Sequence, residues 1–350
     1  MLNGNSGFDN FGEFLLAVRR DALHIGSTDA RLFQRRGAPL GSGEQVPSDG
    51  GFLVHGEFVR PLIERIYLNE VIGRCLEIPI TSGNSLIYPT FMESSRANGS
   101  RFGGVQAYWE NEADTETATK PEFGRGTLTA KKLIGLVYLT DELFMDAEAL
   151  TIFGSMAFAR EMAFRLTDAI VNGDGLGKPQ GILAGGAMIQ VAKQNGQAAG
   201  SVVSQNIVDM WSRCWAPSRR TAVWLVHPDA EKQIIEASLA VGTAGGELPL
   251  YGPRDPESGF NTILGTPAIP IEQCQVPGTP GDVILADFSR YLLASRESRG
   301  DVSIHVKFLT DEAAFRFVMR VDGQPIDQVP VTPFTGVNTV SPFVTIAQRS

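Results

Sequence analysis

Residues 172–181 read Asn-Gly-Asp-Gly-Leu-Gly-Lys-Pro-Gln-Gly (NGDGLGKPQG) and directly follow a long run with helical spacing. A loop that cradles phosphate has the reverse order, strand before and helix after, because amides at a helix start meet the anion. A Walker loop also needs glycine where Asn172 stands and Ser or Thr where Pro179 stands, and Lys178 occupies the third glycine of the dinucleotide pattern. The stretch therefore reads as a helix stop and a turn built from permissive glycines. A nucleotide-dependent enzyme would have to rest on Gly173 to Lys178, and the order of elements argues against it.

The run upstream, 141–171, predicts a long helix. Asp141 and Glu142 suit the positive end of its dipole, and Gly173 suits its stop. Ile152, Met156, Ala159, Ala163, Leu166 and Ile170 recur at steps of four and three, which places them in a stripe of about 80°. Glu161, Arg165 and Asp168 fall on the far side, with Glu161 and Arg165 spaced to pair.

Further upstream, 76–91 alternates as a strand, with Pro79 and Pro89 favouring an edge. A Ser-, Asn- and Gly-rich tip follows at 94–104. A second limb returns through Tyr108, Trp109 and the acidic stretch from Glu110 to Glu116 to reach 127–139. This excursion of roughly fifty residues far exceeds an ordinary hairpin loop, and a two-stranded ribbon alone in water is marginal. Another surface is expected to support it. Residues 1–50, with a short apolar cluster at 11–18 and then a Gly-, Ser- and Arg-rich tract, predict an arm without a core of its own. Residues 52–72 carry Phe58, Leu62, Ile66 and Leu68 at near-helical spacing, with Pro61 compatible with a first turn.

Beyond the turn, helices are expected at 206–215 and 229–240, and buried strands at 222–226 and 283–286. Residues 302–321 read as further strands. The pattern as a whole is α+β.

With 350 residues, 43% hydrophobic and 20% charged, the chain can bury one large or two smaller cores. No apolar run approaches the ~20 residues that span a bilayer, and no signal core follows a basic start, so no membrane partner is expected. The net charge of −9 repels a phosphate backbone. Cys75, Cys214 and Cys274 are more than fifty positions apart and odd in number, which predicts free thiols. His24, His55, His227 and His305 form no local metal pair. No nucleophile signature is present, so no catalytic, cofactor or metal residue is assigned. Trp109 and Phe91, which flank the tip, fit two readings: packing on the protein's own body, or anchoring on a neighbouring subunit. Arg316 and Arg320, four apart, are candidates for an inter-subunit charge contact or for plain exposure, and the acidic limb reads as solvated or interface-facing.

Several segments in order resemble the major capsid protein family of tailed bacteriophages, which share the Hong Kong 97-type shell fold. They are Gly50 to Val54 (a glycine pair, then an apolar residue and valine), Trp109 with Glu112 (Trp-x-x-Glu), and LTDELFMD at 139–146. The glycine turn with Gly181, Ile182 and Leu183 follows, then Leu264 to Pro267 (L-G-x-P), Asp287 to Tyr291 (D-F-S-x-Y) and Arg320 to Gly323 (R-x-D-G). Any one is weak, and their order and spacing make the set specific. One departure is His227, which stands before Pro228 where the family commonly has asparagine. Another is the lack of a long helical scaffolding segment before 11–18, which implies either a separate scaffold protein or numbering that begins at a processed form, with Met1 favouring a true start.

The resemblance implies an arm at 1–50, a peripheral domain from 51–81 and 131–182 with a spine helix, and an extended loop at 82–130. It further implies an axial domain at 183–300, with peripheral strands and a tail at 301–350. Phe91, Trp109, Glu112, Arg316 and Arg320 are the expected inter-subunit contacts. The function implied is a structural, non-enzymatic one. Pentamers and hexamers close into an icosahedral shell in the virion, assembled in the host cytoplasm, around double-stranded DNA held without sequence-specific binding. Scaffolding, portal and decoration proteins are the further partners. An encapsulin-like compartment shell is the alternative within the same fold. Some relatives crosslink a loop lysine to a neighbour's asparagine; no motif supports that for Lys120 and Asn338.

Overall fold

The computed structural model describes residues 51–53, 65–66, 69–81, 83–91, 93–109, 118–140, 147–241, 246–256, 258–307 and 312–350, together with Glu13, Ala17, Arg20 and Asp29. In chain order the elements begin with β1 (Gly51–Leu53), β2 (Leu76–Pro79), β3 (Ser85–Phe91), β4 (Phe123–Thr129), β5 (Lys131–Thr140), α1 (Ala147–Asn172) and β6 (Ile189–Val191). Next come α2 (Ser204–Arg213), β7 (Val223–Val226), α3 (Pro228–Glu236), β8 (Ser238–Val241), β9 (Gly246–Pro249), β10 (Tyr251–Arg254), β11 (Asn261–Ile263) and β12 (Thr266–Pro270). The last are β13 (Val283–Ala286), β14 (Tyr291–Lys307), β15 (Glu312–Pro325) and β16 (Phe343–Ile346). Helices and mostly antiparallel sheets make an α+β fold, and no helix among the described residues is long and apolar enough to cross a membrane.

Two larger sheets organise the chain. The first has the order β1-β14-β15-β5, with β2 pairing β14 in parallel. The second has the order β10-β11-β12-β7-β13-β16-β6. The central strands of the second sheet are covered on both faces, which explains their unbroken apolar runs. Val223, Leu225, Ile284, Ala286 and Phe343 face a core shared with α1. Trp224, Val226, Val283, Leu285, Val344 and Ile346 face α2 and α3. Below them the fully buried carboxylate of Asp282 pairs with the fully buried guanidinium of Arg349 and accepts from the amides of Gly278 and Val283. Burial pushes the Asp282 carboxyl above the usual carboxylate range, against the pull of those partners.

The α1 stripe is buried as its spacing requires at Ala159, Ala163, Leu166 and Ile170. On the outer side Glu161 and Arg165 form the anticipated ion pair at 2.9 Å. The helix crosses the first sheet at Gly135, where an added Cβ would lie 2.6 Å from the ring of Phe158. Phe158 in turn packs on Phe317 with centroids 5.1 Å apart.

Two expectations are corrected. Phe52 and Leu53, expected at the head of a helical stretch, lie in β1, because Gly51 to Leu53 find hydrogen-bonding partners at Asp301 to Ser303. The helix expected to reach Ala240 ends at Glu236, because Ser238 to Val241 pair with Gly246 to Pro249. β14 pairs with β15 from Tyr291 onward, so the chain enters the first sheet there and stays in it across residue 301. Within 301–350, β15 lies in the first sheet and β16 pairs with β13 and β6 in the second. His227 supplies what an asparagine would at its position, since its Nδ1 accepts from the Asp229 amide at 3.1 Å and caps α3. Of the expected arm, Glu13, Ala17 and Arg20 are helical and Ala17 is buried in the core around α1; apart from Asp29, the rest of 1–50 lies outside the described residues.

Candidate functional site

The two-stranded ribbon of β3 and β4 runs in register from Ser85 opposite Thr129 to Phe91 opposite Phe123. Alternation gives it two unlike faces. Leu86, Tyr88 and Leu128 turn inward onto Ile80, Ala130, Leu292 and Ala294, whereas Ile87, Phe91 and Phe123 turn outward and are exposed. Support for the ribbon was expected from elsewhere; its root rests on the chain's own β14.

Polar contacts pin that root at both strands. On the β3 side, Arg320 Nη1 donates to Asn84 Oδ1 at 3.2 Å, and Gln324 Nε2 donates to the Tyr88 hydroxyl at 2.6 Å. Burial raises the Tyr88 phenol, and the nearby Asp322 charge adds to it against the Gln324 bond. On the β4 side, Asp322 accepts from the amides of Thr129 and Gly323 at 2.8 and 2.9 Å and faces Lys131 Nζ at 3.2 Å. Lys131 Nζ also donates to the carbonyls of Gly175 and Lys178 at 2.8 and 2.7 Å. One ammonium thus joins the ribbon root, β15 and the glycine turn after α1.

That turn is closed by its own bonds. The Gly173 amide donates to Ala169, the Leu176 amide to the Asp174 carboxylate and the Gly181 amide to Gly173. An added Cβ on Gly173 would lie 2.0 Å from the Pro179 carbonyl, so only glycine lets the two limbs meet. Lys178 Nζ lies 3.8 Å from Asp174, within the turn, and the Leu176 side chain stands exposed at its tip.

The ribbon tip also returns to its own chain. The Arg96 amide donates to the Thr332 carbonyl at 2.8 Å and the Thr332 amide to the Ser94 carbonyl at 3.0 Å. The Arg96 guanidinium pairs with Glu93 at 2.6 Å and sits 4.7 Å above the Trp215 ring. Arg290 approaches the same ring at 5.8 Å and is held by two hydrogen bonds to Asp327, at 2.8 and 2.6 Å, which raise its pKa further. Beyond the clip, Phe102 adopts a left-handed φ of +50° and packs edge-on against Phe91, with centroids 5.5 Å apart. Phe123 completes the cluster 5.4 Å from Phe91.

The expected contact residues are therefore dispersed. Phe91 belongs to this exposed aromatic cluster, and Trp109 is fully exposed. Glu112 and the acidic limb from Glu110 to Glu116 lie outside the described residues. Arg320 is partnered within the chain by Asn84, and Arg316 lies on β15 opposite Asp301 and Leu136. Sequence reasoning missed Lys131, Arg96 and Trp215. Asp322 was quoted in the R-x-D-G segment without a role. A second exposed apolar strip lies on β5, where Ile134, Leu136 and Tyr138 occupy the face away from α1.

A family model described as the phage capsid family matches residues 50–336. No curated protein matches the chain in sequence. Among solved structures, the capsid of an empty GTA particle matches with a TM-score of 0.56 at 15% identity, covering 80% of this chain and 91% of that one. The capsid of a native GTA particle gives 0.55 at 16%, covering 92% and 99%. A chain of Microbacterium phage Oxtober96 gives 0.51 at 15%, covering 94% and 98%. At such identity the likeness is one of fold.

Proposed function

This chain belongs to the phage capsid family, and from that premise we propose how its ribbon serves a shell. The protein is a major capsid shell protein with a structural role. Its place is the virion capsid. On our reading, copies associate into pentamers and hexamers in the host cytoplasm and close an icosahedral shell around double-stranded DNA, without catalysis. Heterologous contacts between identical copies generate such closed rings. The net charge of −9 suits a container that does not adhere to its cargo. A scaffolding protein and a portal complete the assembly, with decoration proteins as further partners.

The single observation that supports the ribbon as the part crossing to a neighbour is its outward face. Ile87, Phe91, Phe102, Phe123 and Trp109 are exposed together on one excursion, and large aromatics anchor interface cores. Glu112, Arg316 and Arg320 remain proposed as polar contacts between copies. The test is sedimentation and negative-stain microscopy of the full chain, alone and co-expressed with its scaffold. Closed particles of uniform diameter are expected; monomer under every condition would overturn the proposal.

A further inference from the structure

The ribbon is held at its two ends by unlike forces. Its root has an apolar core beside its polar pins: Leu128, Ile80, Leu292 and Ala294 are buried against one another, and separating them exposes hydrocarbon to water. Its tip is held by two main-chain hydrogen bonds to Thr332, the Glu93–Arg96 ion pair and the stack of Arg96 on Trp215. Water can replace each of these polar partners, so such contacts open at low cost compared with an apolar core. Trp215 also keeps Arg290 nearby when Arg96 leaves, because Asp327 fixes that guanidinium independently.

We infer that Glu93–Arg96, clipped to Trp215 and Thr332, is an autoinhibitory strap: closed in the free subunit, it holds the ribbon tip on its own chain and must release before the tip can cross to a neighbour. The root then serves as the pivot and the strap as the catch. This rests on the reading of the ribbon as the crossing element. It goes beyond that reading by assigning a gate to residues that do not belong to the outward face. A closed strap lowers the fraction of subunits competent to assemble, and apparent affinity falls with that fraction.

The test is a Ser95→Cys/Thr332→Cys double variant. These positions face each other in a parallel bridge, where Cα separations suit a disulfide. The buried Cys214 and Cys274 thiols stay out of the reaction. The oxidised subunit should keep the wild-type urea midpoint or exceed it and form no shells, and reduction should restore shell formation. Shells from oxidised protein at the wild-type rate would overturn the strap, and so would a pair that does not oxidise in the free subunit. Arg96→Ala supplies an independent arm: it should shorten the assembly lag several-fold with the thermal midpoint unchanged, and an unchanged or longer lag would contradict the inference. Wild-type protein that forms no shells under any condition counts against the shell reading itself; shells from the oxidised variant would remove only the strap.

Discussion

The ammonium of Lys131 stands 3.2 Å from a carboxylate oxygen of Asp322 while donating to the carbonyls of Gly175 and Lys178. Asp322 is nearly buried, so its hydrogen bonding is met by this partner and by the Thr129 and Gly323 amides. Lys131→Met should lower stability by about 1–3 kcal/mol, the range for leaving a hydrogen-bonded buried group short of a partner. Asp322→Ala should cost more, since two amides and the ammonium lose their acceptor together. Urea unfolding midpoints check both, and a neutral Asp322→Ala would remove the ribbon-root account.

Arg349 and Asp282 have no solvent exposure at their side chains. Removing one member of such a pair strands the other charge, which costs about 3–5 kcal/mol. Arg349→Met should therefore destabilise the second sheet strongly, and adding Asp282→Asn should recover part of the loss. A double-mutant cycle in urea measures that coupling, with additivity as the contrary result.

Trp109 is fully exposed, so Trp109→Ala should leave the unfolding free energy within about 0.5 kcal/mol of wild type. Assembly should nonetheless weaken, because a large aromatic anchor is lost. Light scattering against protein concentration reads the effect, and an unchanged critical concentration would show that Trp109 plays no part in contacts between copies.

Burial raises the Cys214 thiol to about 12 and the Cys274 thiol higher still. A thiol whose folded pKa exceeds its unfolded value contributes stability below the unfolded value of about 8.5 and loses it as pH rises toward the folded value. The urea midpoint should therefore fall between about pH 8 and pH 10, and both thiols should resist a thiol reagent until the chain unfolds. Rapid labelling of Cys214 in native protein would contradict this.

Local periodicity carried much of the architecture because burial follows it directly. The stripe from Ala159 to Ile170 and the apolar runs at Val223 to Val226 and Val283 to Ala286 are all buried. The ribbon's first limb was legible from alternation and from Pro89, which suits a two-stranded edge. Of the second limb expected at 127–139, only Thr127 to Thr129 pair with β3, and Lys131 to Leu139 pair with β15 instead. What failed depends on distant partners. Phe52 is a strand residue because of Val302, about 250 positions away, and no local pattern records that pairing. The tip around Arg96 has the composition of a free loop. Only Trp215 and Thr332, far along the chain, give it a place. Lys131 follows the same rule, since its partners in the glycine turn and at Asp322 meet only in the folded molecule.

The central claim is that a shell-building subunit uses the outward ribbon face on its neighbours. A cryo-electron microscopy map of assembled particles tests it most directly. The account predicts Phe91, Phe123 and Trp109 of each copy buried against an adjacent copy, with the Ser94–Thr332 main-chain contact opened. Particles in which those three side chains face solvent, with neighbouring copies joined elsewhere, would contradict it.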